Sequence, residues 1–372
     1  MIRADGVGPT TFAKMLRQFG SVENALGASV AGFTKIDGIG TRTAERISRS
    51  VDNFNVEKEL ALADKLGVFL IHLDDDRYPA PLKGIYDPPP VLYVKGTLQR
   101  SDNLAMAIVG SRRCSTYGSE QASRFGHILA SSGLTIVSGM ARGIDTAAHR
   151  GALSAQGRTI AVQGCGLANV FPPENVKLKG LIEESGACIS ELPLEYEPLS
   201  ENFPARNRII AGLSMGVVVI EATARSGALI SAKAAMENNR EVMAVPGKID
   251  SPLSVGAHRL IKEGARLVDS VEDIMEAIGI IGDGLKGHVS GVATEVNERV
   301  EMPLFDVSQL SLSEYERKIF DCFDGDAVHV EDIIAVSGLG AGAVNSAVIS
   351  LRLKGLIKQL PGNVFKKATS GN

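Results

Sequence analysis

A chain of 372 residues has room for two or three domains, and 44% hydrophobic content sustains a sizeable buried core. No run approaches the roughly 20 uninterrupted apolar residues that span a bilayer, so no membrane role is expected. A net charge of −4, no Trp and only 5% aromatic residues weigh against a protein that coats nucleic acid over its whole surface. The N-terminal Met1-Ile2-Arg3-Ala4-Asp5-Gly6 lacks the apolar run of a signal peptide. Cys114, Cys165, Cys188 and Cys322 form no CxxC pair. That argues against a zinc site or a disulfide framework and fits a reducing, cytoplasmic setting.

Residues 1–65 read as short helices. Gly6-Val7-Gly8-Pro9 and Ile36-Asp37-Gly38-Ile39-Gly40 each precede an amphipathic run, the G-h-G signature of a helix–hairpin–helix (SAM-like) domain, whose turn amides can meet phosphate. Residues 1–50 hold seven cations and four acids; the alternative is a packing module. Val68–Ile71, a Pro-rich stretch with Pro88-Pro89-Pro90, and Val91–Val94 read as an extension leading into a core sheet, since proline keeps such pieces at edges and loops.

From Leu104 apolar runs alternate with helical stretches. Strands are expected at 104–109, 134–138, 159–163, 187–191, 217–221, 241–245 and 266–268, with helices near 117–131, 144–156, 176–185, 206–214, 227–238, 255–263 and 271–279. Continuous apolar strands such as Val217–Ile220 imply a sheet covered on both faces, and repeated β-α-β units imply an α/β, Rossmann-like doubly wound core over residues 66–280. Residues 281–310 read as a linker. Residues 311–372 read as a winged helix: a helix from Leu312 to Phe323, a helix-turn-helix over Val330–Val336 and Ala343–Leu353, and a wing around Pro361-Gly362.

The chain lacks G-x-G-x-x-G after its first core strand and lacks G-x-x-x-x-G-K-[ST], so no nicotinamide or other nucleotide cofactor is expected. Four segments instead combine small residues with cations beyond strand ends: Gly110-Ser111-Arg112; Ser138-Gly139-Met140-Ala141-Arg142-Gly143; Phe203-Pro204-Ala205-Arg206-Asn207-Arg208; and Arg225-Ser226-Gly227, followed by Val245-Pro246-Gly247-Lys248. Bare amides and arginines along the ligand-binding edge of an open α/β sheet would make a track for a string of phosphates.

The order GSR, SGMARGIDTAAHRGAL, FPARNRIIAGLS, SGALISAKAAMENNREVMAVPG and GAHRLIKEGA resembles the DNA-processing protein A (DprA/Smf) family, strongly from Leu104 to Ile274. The resemblance implies a non-enzymatic protein that binds single-stranded DNA, dimerises through its Rossmann-like domain, and loads RecA recombinase onto incoming DNA in natural transformation.

The expected DNA contacts are Gly110, Ser111, Arg112, Gly139, Arg142, Phe203, Arg206, Asn207, Arg208, Arg225, Ser226, Gly227 and Lys248. Arg206 and Arg208 sit at an expected helix start, so at least one should face DNA; the alternative is a buried ion pair. Arg142 is as suited to bracing its loop. Phe203 and Tyr117 are possible stacking platforms, although apolar packing is the usual fate of such a Phe. Asp145 and His149 read as helix-dipole and packing residues, not an acid/base pair. The winged-helix region carries seven cations and seven acids, which disfavours strong duplex binding and favours a protein contact or a role in modulating the dimer. The rival reading is a nucleotide-processing enzyme similar to phosphoribohydrolases. Their PGGxGTxxE segment is replaced here by Glu221-Ala222-Thr223-Ala224-Arg225-Ser226-Gly227, without the glycine pair or the catalytic Glu. A pure protein scaffold would require no oligonucleotide affinity.

Overall fold

Alternating apolar strands and amphipathic helices close into the expected α/β core. The computed structural model describes residues 1–51, 53–279, 312–323, 328–340, 343–344, 347–348, 350–351, 356–360 and 364–367. The expected linker 281–310 lies outside them. So do Arg352, Lys354 and the wing turn Pro361-Gly362. Two compact units are present, one of residues 1–130 and 134–281, the other of residues 131–133 and 282–372.

In the first unit, α1 (Pro9–Phe19), α2 (Val22–Leu26), α3 (Val30–Phe33) and α4 (Thr41–Ser50) surround their own small core of Val7, Met15, Phe33, Ile39 and Ile47. The two G-h-G turns open α1 and α4 as expected, with Gly6 and Gly38 at φ +87° and +86°. Helix α5 (Val56–Leu66) follows. The helical region sits against the sheet: Arg3 donates to the Glu191 carbonyl and lies over the Tyr93 ring, and Lys58 pairs with Glu195.

The sheet has nine strands: β1 (Phe69–His72), β2 (Val91–Gly96), β3 (Ala105–Gly110), β4 (Thr135–Ser138), β5 (Thr159–Val162), β6 (Ala187–Ser190), β7 (Gly216–Ile220), β8 (Glu241–Ala244) and β9 (Arg266–Leu267). Their order is β1-β2-β6-β5-β4-β3-β7-β8-β9. Strands β3 to β9 are parallel, and β2 joins β6 antiparallel with β1 outside it. The extension read from the Pro-rich segment is this antiparallel edge, entered through the short helix α6 (Ala80–Lys83). Strand order reverses between β3 and β7, so the ligand-binding crevice of this architecture lies beyond Gly110 and Ile220.

Burial explains why these strands lack polar alternation. Ala105, Ala107, Val109, Val217 and Val219 face one apolar cluster with α10 (Asn202–Leu213), α11 (Ala228–Glu237) and α12 (Val255–Lys262). Met106, Ile108, Val218 and Ile220 face another with α7 (Thr116–Ser131), α8 (Ile144–Ser154) and the helix over 271–279. Helix α9 (Val176–Ser185) covers β5 and β6. One boundary differs materially from the sequence expectation. Helix α10 begins at Asn202, four residues early, because Pro204 falls in its first turn, where a missing N–H costs nothing.

The second unit has a helix Glu314–Phe320 with a Ser313/Glu316 capping box, a helix Val330–Ser337 ended by Gly338 at φ +64°, and a three-stranded antiparallel sheet of Val328–His329, Val364–Lys367 and Ile357–Leu360. Ile319, Phe323, Ile333, Val344, Leu351 and Phe365 form its core. This is the winged helix expected from the pattern.

Helices α7 and α8 touch through glycines: a Cβ on Gly126 would lie 2.5 Å from the Ala148 carbonyl oxygen. Alanine there gains about 1 kcal/mol of helix propensity, but overpacking against backbone costs about 1–3 kcal/mol. Because the contact is with backbone, the upper end of that cost applies, and Gly126→Ala is expected to lower stability by about 2 kcal/mol, read as a lower denaturant midpoint with an unchanged m value. A neutral effect would mean the helices can separate freely.

Candidate nucleic-acid interface

The carboxyl ends of β3, β4, β5, β7 and β8 share one sheet edge; Gly110 ends β3, Phe203, Arg206, Asn207 and Arg208 are carried on α10, and every other expected contact lies in a loop leaving that edge. At the switch point, the Ser111 N–H donates to the Glu221 carbonyl (2.7 Å), and the Ser111 carbonyl accepts from Ile144 N–H at the start of α8 (3.2 Å). Gly143, at φ +74°, has no room for a Cβ beside the Ser111 and Arg112 backbone. These contacts hold Arg112 and Arg113 outward. Both are exposed, and neither has a carboxylate partner among the described residues.

Arg112 lies over the Phe203 ring at 5.1 Å, while Phe171 packs against the same ring at 5.4 Å. A guanidinium over an aromatic face is attractive electrostatically. Phe203 is half-buried and already covered, so stacking a base on it requires Arg112 to move. Tyr117 is exposed on the same edge, with its hydroxyl donating to the Pro246 carbonyl at 3.4 Å.

Arg206 and Arg208 depart from the sequence expectation. The early start of α10 carries both into the body of the helix. Arg206 is buried (5% exposed), donating to the carbonyls of Gly139 (2.8 Å) and Val162 and to the Asn207 side-chain oxygen (3.2 Å). Burial pushes its pKa down to about 10, with Asp145 opposing the shift; it stays charged at neutral pH. Gly139 has no side chain because the guanidinium fills that space. Arg208 is clamped between Asp87 (3.1 Å) and Glu191. Neither stands exposed in this conformation. Arg142 is exposed but paired with Glu174 (3.0 Å from Nη2), the loop-bracing option.

Arg225 and Lys248 are exposed with no carboxylate partner among the described residues. Gly227 precedes α11, is exposed, and a Cβ there would meet nothing. The N-cap residue of α11, Gly227, has no side chain with which to cap it, and Asn207 Nδ2 reaches the Gly227 carbonyl at 3.4 Å. Asn207 thus positions the loop from beneath and is itself buried. Ser226 is half-buried, its hydroxyl accepting from Ala228 N–H (3.3 Å). Gly110 is packed against Ile220 and Ile144. The free surface therefore comprises Arg112, Arg113, Arg225, Lys248 and the Gly227 turn. Arg113 was missed by sequence reasoning, although it adjoins Arg112.

Asp145 and His149 are buried apart from any acid/base geometry. The Asp145 carboxylate accepts from the Gly139 and Ala141 amides (3.1 and 3.3 Å), and His149 Nδ1 pairs with Thr159 Oγ1 (2.7 Å). Burial holds His149 down to about 3, so its ring is neutral; burial pushes Asp145 up, opposed by Arg206 and the loop amides. Among the described residues no cluster of His, Cys, Asp and Glu could hold a metal, no disulfide is present, and no helix is long and apolar enough to cross a membrane.

Fold and edge define a doubly wound, Rossmann-like protein flanked by a tandem helix–hairpin–helix and a winged helix. Residues 69–279 match the family described as DNA recombination-mediator protein A, residues 306–363 a DprA winged helix domain, and residues 1–51 a SAM-like helix–hairpin–helix tandem. The chain belongs to the DNA-processing protein A (DprA/Smf) family. It is 35% identical to Protein Smf of Synechocystis over 97% of this chain and 96% of that one, and 44% identical to DNA processing protein DprA of Streptococcus pneumoniae over 60% of this chain and 78% of that one. The crystal structure of the S. pneumoniae protein superposes with a TM-score of 0.65 at 37% identity, covering 74% of this chain and 95% of that one. A Helicobacter pylori DNA processing protein A, whose structure is described in terms of its single-stranded DNA binding mode, superposes at 0.52 with 28% identity, covering 58% and 96%.

Two stability measurements separate strut from surface. Arg206→Ala leaves two buried carbonyls without their donor and removes the cation near Asp145, and should cost about 3–5 kcal/mol, whereas exposed Arg112→Ala should stay within about 0.5 kcal/mol. Equal effects would contradict the assignment. His149, held below its ordinary value, binds protons more readily when unfolded. Its neutral form contributes stability above about pH 6.5 that is lost as pH falls towards 3; the raised Asp145 carboxyl acts in the opposite direction. His149→Gln should make the fall in Tm between pH 6.5 and 4 shallower, as checked by calorimetry; an unchanged profile would contradict the neutral buried ring.

Proposed function

We propose that the chain binds single-stranded DNA along the carboxyl edge of its sheet. In this reading it protects incoming DNA during natural transformation, acts as a homodimer through the Rossmann-like domain, and hands the strand to RecA recombinase. The observation that carries DNA binding is the sorting of cations. Arg142, Arg206 and Arg208 are internally neutralised or buried, while Arg112, Arg113, Arg225 and Lys248 stand exposed in the loops that follow the neighbouring strands β3, β7 and β8. Four outward cations spread over three loops suit a row of phosphates better than one mononucleotide. The single-stranded DNA binding described for the H. pylori relative supports the same polymer. Delivery to RecA and dimerisation rest on the family resemblance; exposed Ile230, Met236, Ile249, Val255 and Leu267 beyond β7 offer apolar surface that suits a second copy.

A binding role is favoured over catalysis because Glu221 and Asp145, the buried carboxylates at the edge, are locked. The Glu221 carboxylate is held by Ser115, and the Asp145 carboxylate by backbone amides. Neither is presented to a substrate.

Phosphate neutralisation sets both affinity and salt dependence. Four contacts on single-stranded DNA correspond to a slope of log K against log salt of about −3. Fluorescence-anisotropy titration of an oligothymidine should give that slope. The triple variant Arg112→Ala, Arg225→Ala, Lys248→Ala should bring it to about −1, weakening all sequences alike without changing Tm. A slope near zero in the parent protein would refute the phosphate track.

A further inference from the structure

We propose that Glu221 is a specificity-determining residue that fills, with the protein's own carboxylate, the place where a nucleotide phosphate would bind this fold. This inference rests on the DNA-binding reading above and adds a reason why the ligand is a polymer. In a doubly wound sheet, the helix that follows the first strand at the switch point offers its N-terminus to a phosphate. Here that helix is α7, which follows β3.

Its N-terminus is already occupied. Glu221 Oε2 accepts from the Ser115 amide at 2.8 Å, and Oε1 accepts from the Ser115 hydroxyl, which in turn accepts from the Gly118 amide at 3.1 Å. Glu221 is only 8% exposed. Two costs are accepted to seat it. Glu221 adopts φ +52°, a region that disfavours a side chain. Gly118 must lack a Cβ, because one would overlap the carboxylate. The Ser111 amide bonds the Glu221 carbonyl (2.7 Å), which fixes the carboxylate relative to the Arg112 loop. Its charge also contributes, after burial, to pushing the Cys114 thiol up.

A negative charge fixed at this helix start repels an incoming phosphate from the inner position. A free nucleotide loses its main anchor. A nucleic-acid backbone does not need that position, because it can ride outside on Arg112, Arg113, Arg225 and Lys248. Selection for polymer over monomer follows from one internal side chain that occupies the inner phosphate position.

The test removes the anion while keeping the backbone. Glu221→Gly suits φ +52° and deletes the carboxylate; Glu221→Gln keeps its bulk without its charge. Calorimetric titration with AMP and with inorganic phosphate should show no binding to the parent protein at millimolar ligand. Glu221→Gly should bind both at least about tenfold more tightly than the parent limit, and Glu221→Gln should gain little because the cavity stays full. Should Glu221→Gly not fold, Glu221→Asn carries the test, since Asn tolerates left-handed backbone and is shorter. A folded glycine or asparagine variant that gains no phosphate binding overturns the proposal, as does a parent protein that binds AMP equally well. Oligothymidine affinity of the parent, measured alongside, reports separately on the DNA-binding reading.

Discussion

The buried guanidinium of Arg206 is the interaction on which the binding edge depends. It joins α10 to the ends of β4 and β5 by donating to the carbonyls of Gly139 and Val162, and it lies 5.9 Å from the centre of the Phe203 ring that Arg112 also approaches. Burying this charge is costly unless its donors are met. Strand-end carbonyls and the Asn207 side chain meet them, and the nearby Asp145 carboxyl opposes the burial electrostatically. The ends of β4 and β5 are consequently tied to α10 by a buried charged strut, and the same helix supplies Phe203 to Arg112 and Asn207 to the Gly227 carbonyl.

Glu221 is its counterpart of opposite sign. One buried cation ties α10 to β4 and β5; one buried anion ties the end of β7 to the start of α7. Both are satisfied by the protein, and so neither is offered to ligand. What remains for solvent is the outer layer of Arg112, Arg113, Arg225 and Lys248. A chain with a net charge of −4 can thus present a locally basic rim, because local pairing decides which charges a polyanion meets.

The layering of the core was legible from sequence because both faces of the sheet are buried, which makes strands such as Val217–Ile220 uniformly apolar and sets them apart from amphipathic helices. The glycine turns before α1 and α4 were legible for a similar reason: left-handed backbone leaves few alternatives to Gly. The site was legible only in its position along the edge. Arg206 and Arg112 look alike in sequence, each a cation beside small residues, and their fates diverge because α10 starts before Pro204 and turns Arg206 inward. Glu221 gave no sequence signal of its role, since its partner Ser115 is more than a hundred residues away and the pairing exists only once β3 and β7 are neighbours. Arg113 was overlooked because exposure of one of two adjacent arginines says nothing of the other until the loop geometry is known.

Amide hydrogen exchange with and without a short oligothymidine tests the central claim most directly, because it locates the bound strand without altering the protein. Slowed exchange is expected at residues 111–113, 225–229 and 247–248, the loops at the carboxyl edge of β3, β7 and β8. Protection confined to other surfaces, with these loops unchanged at saturating oligonucleotide, would contradict the account.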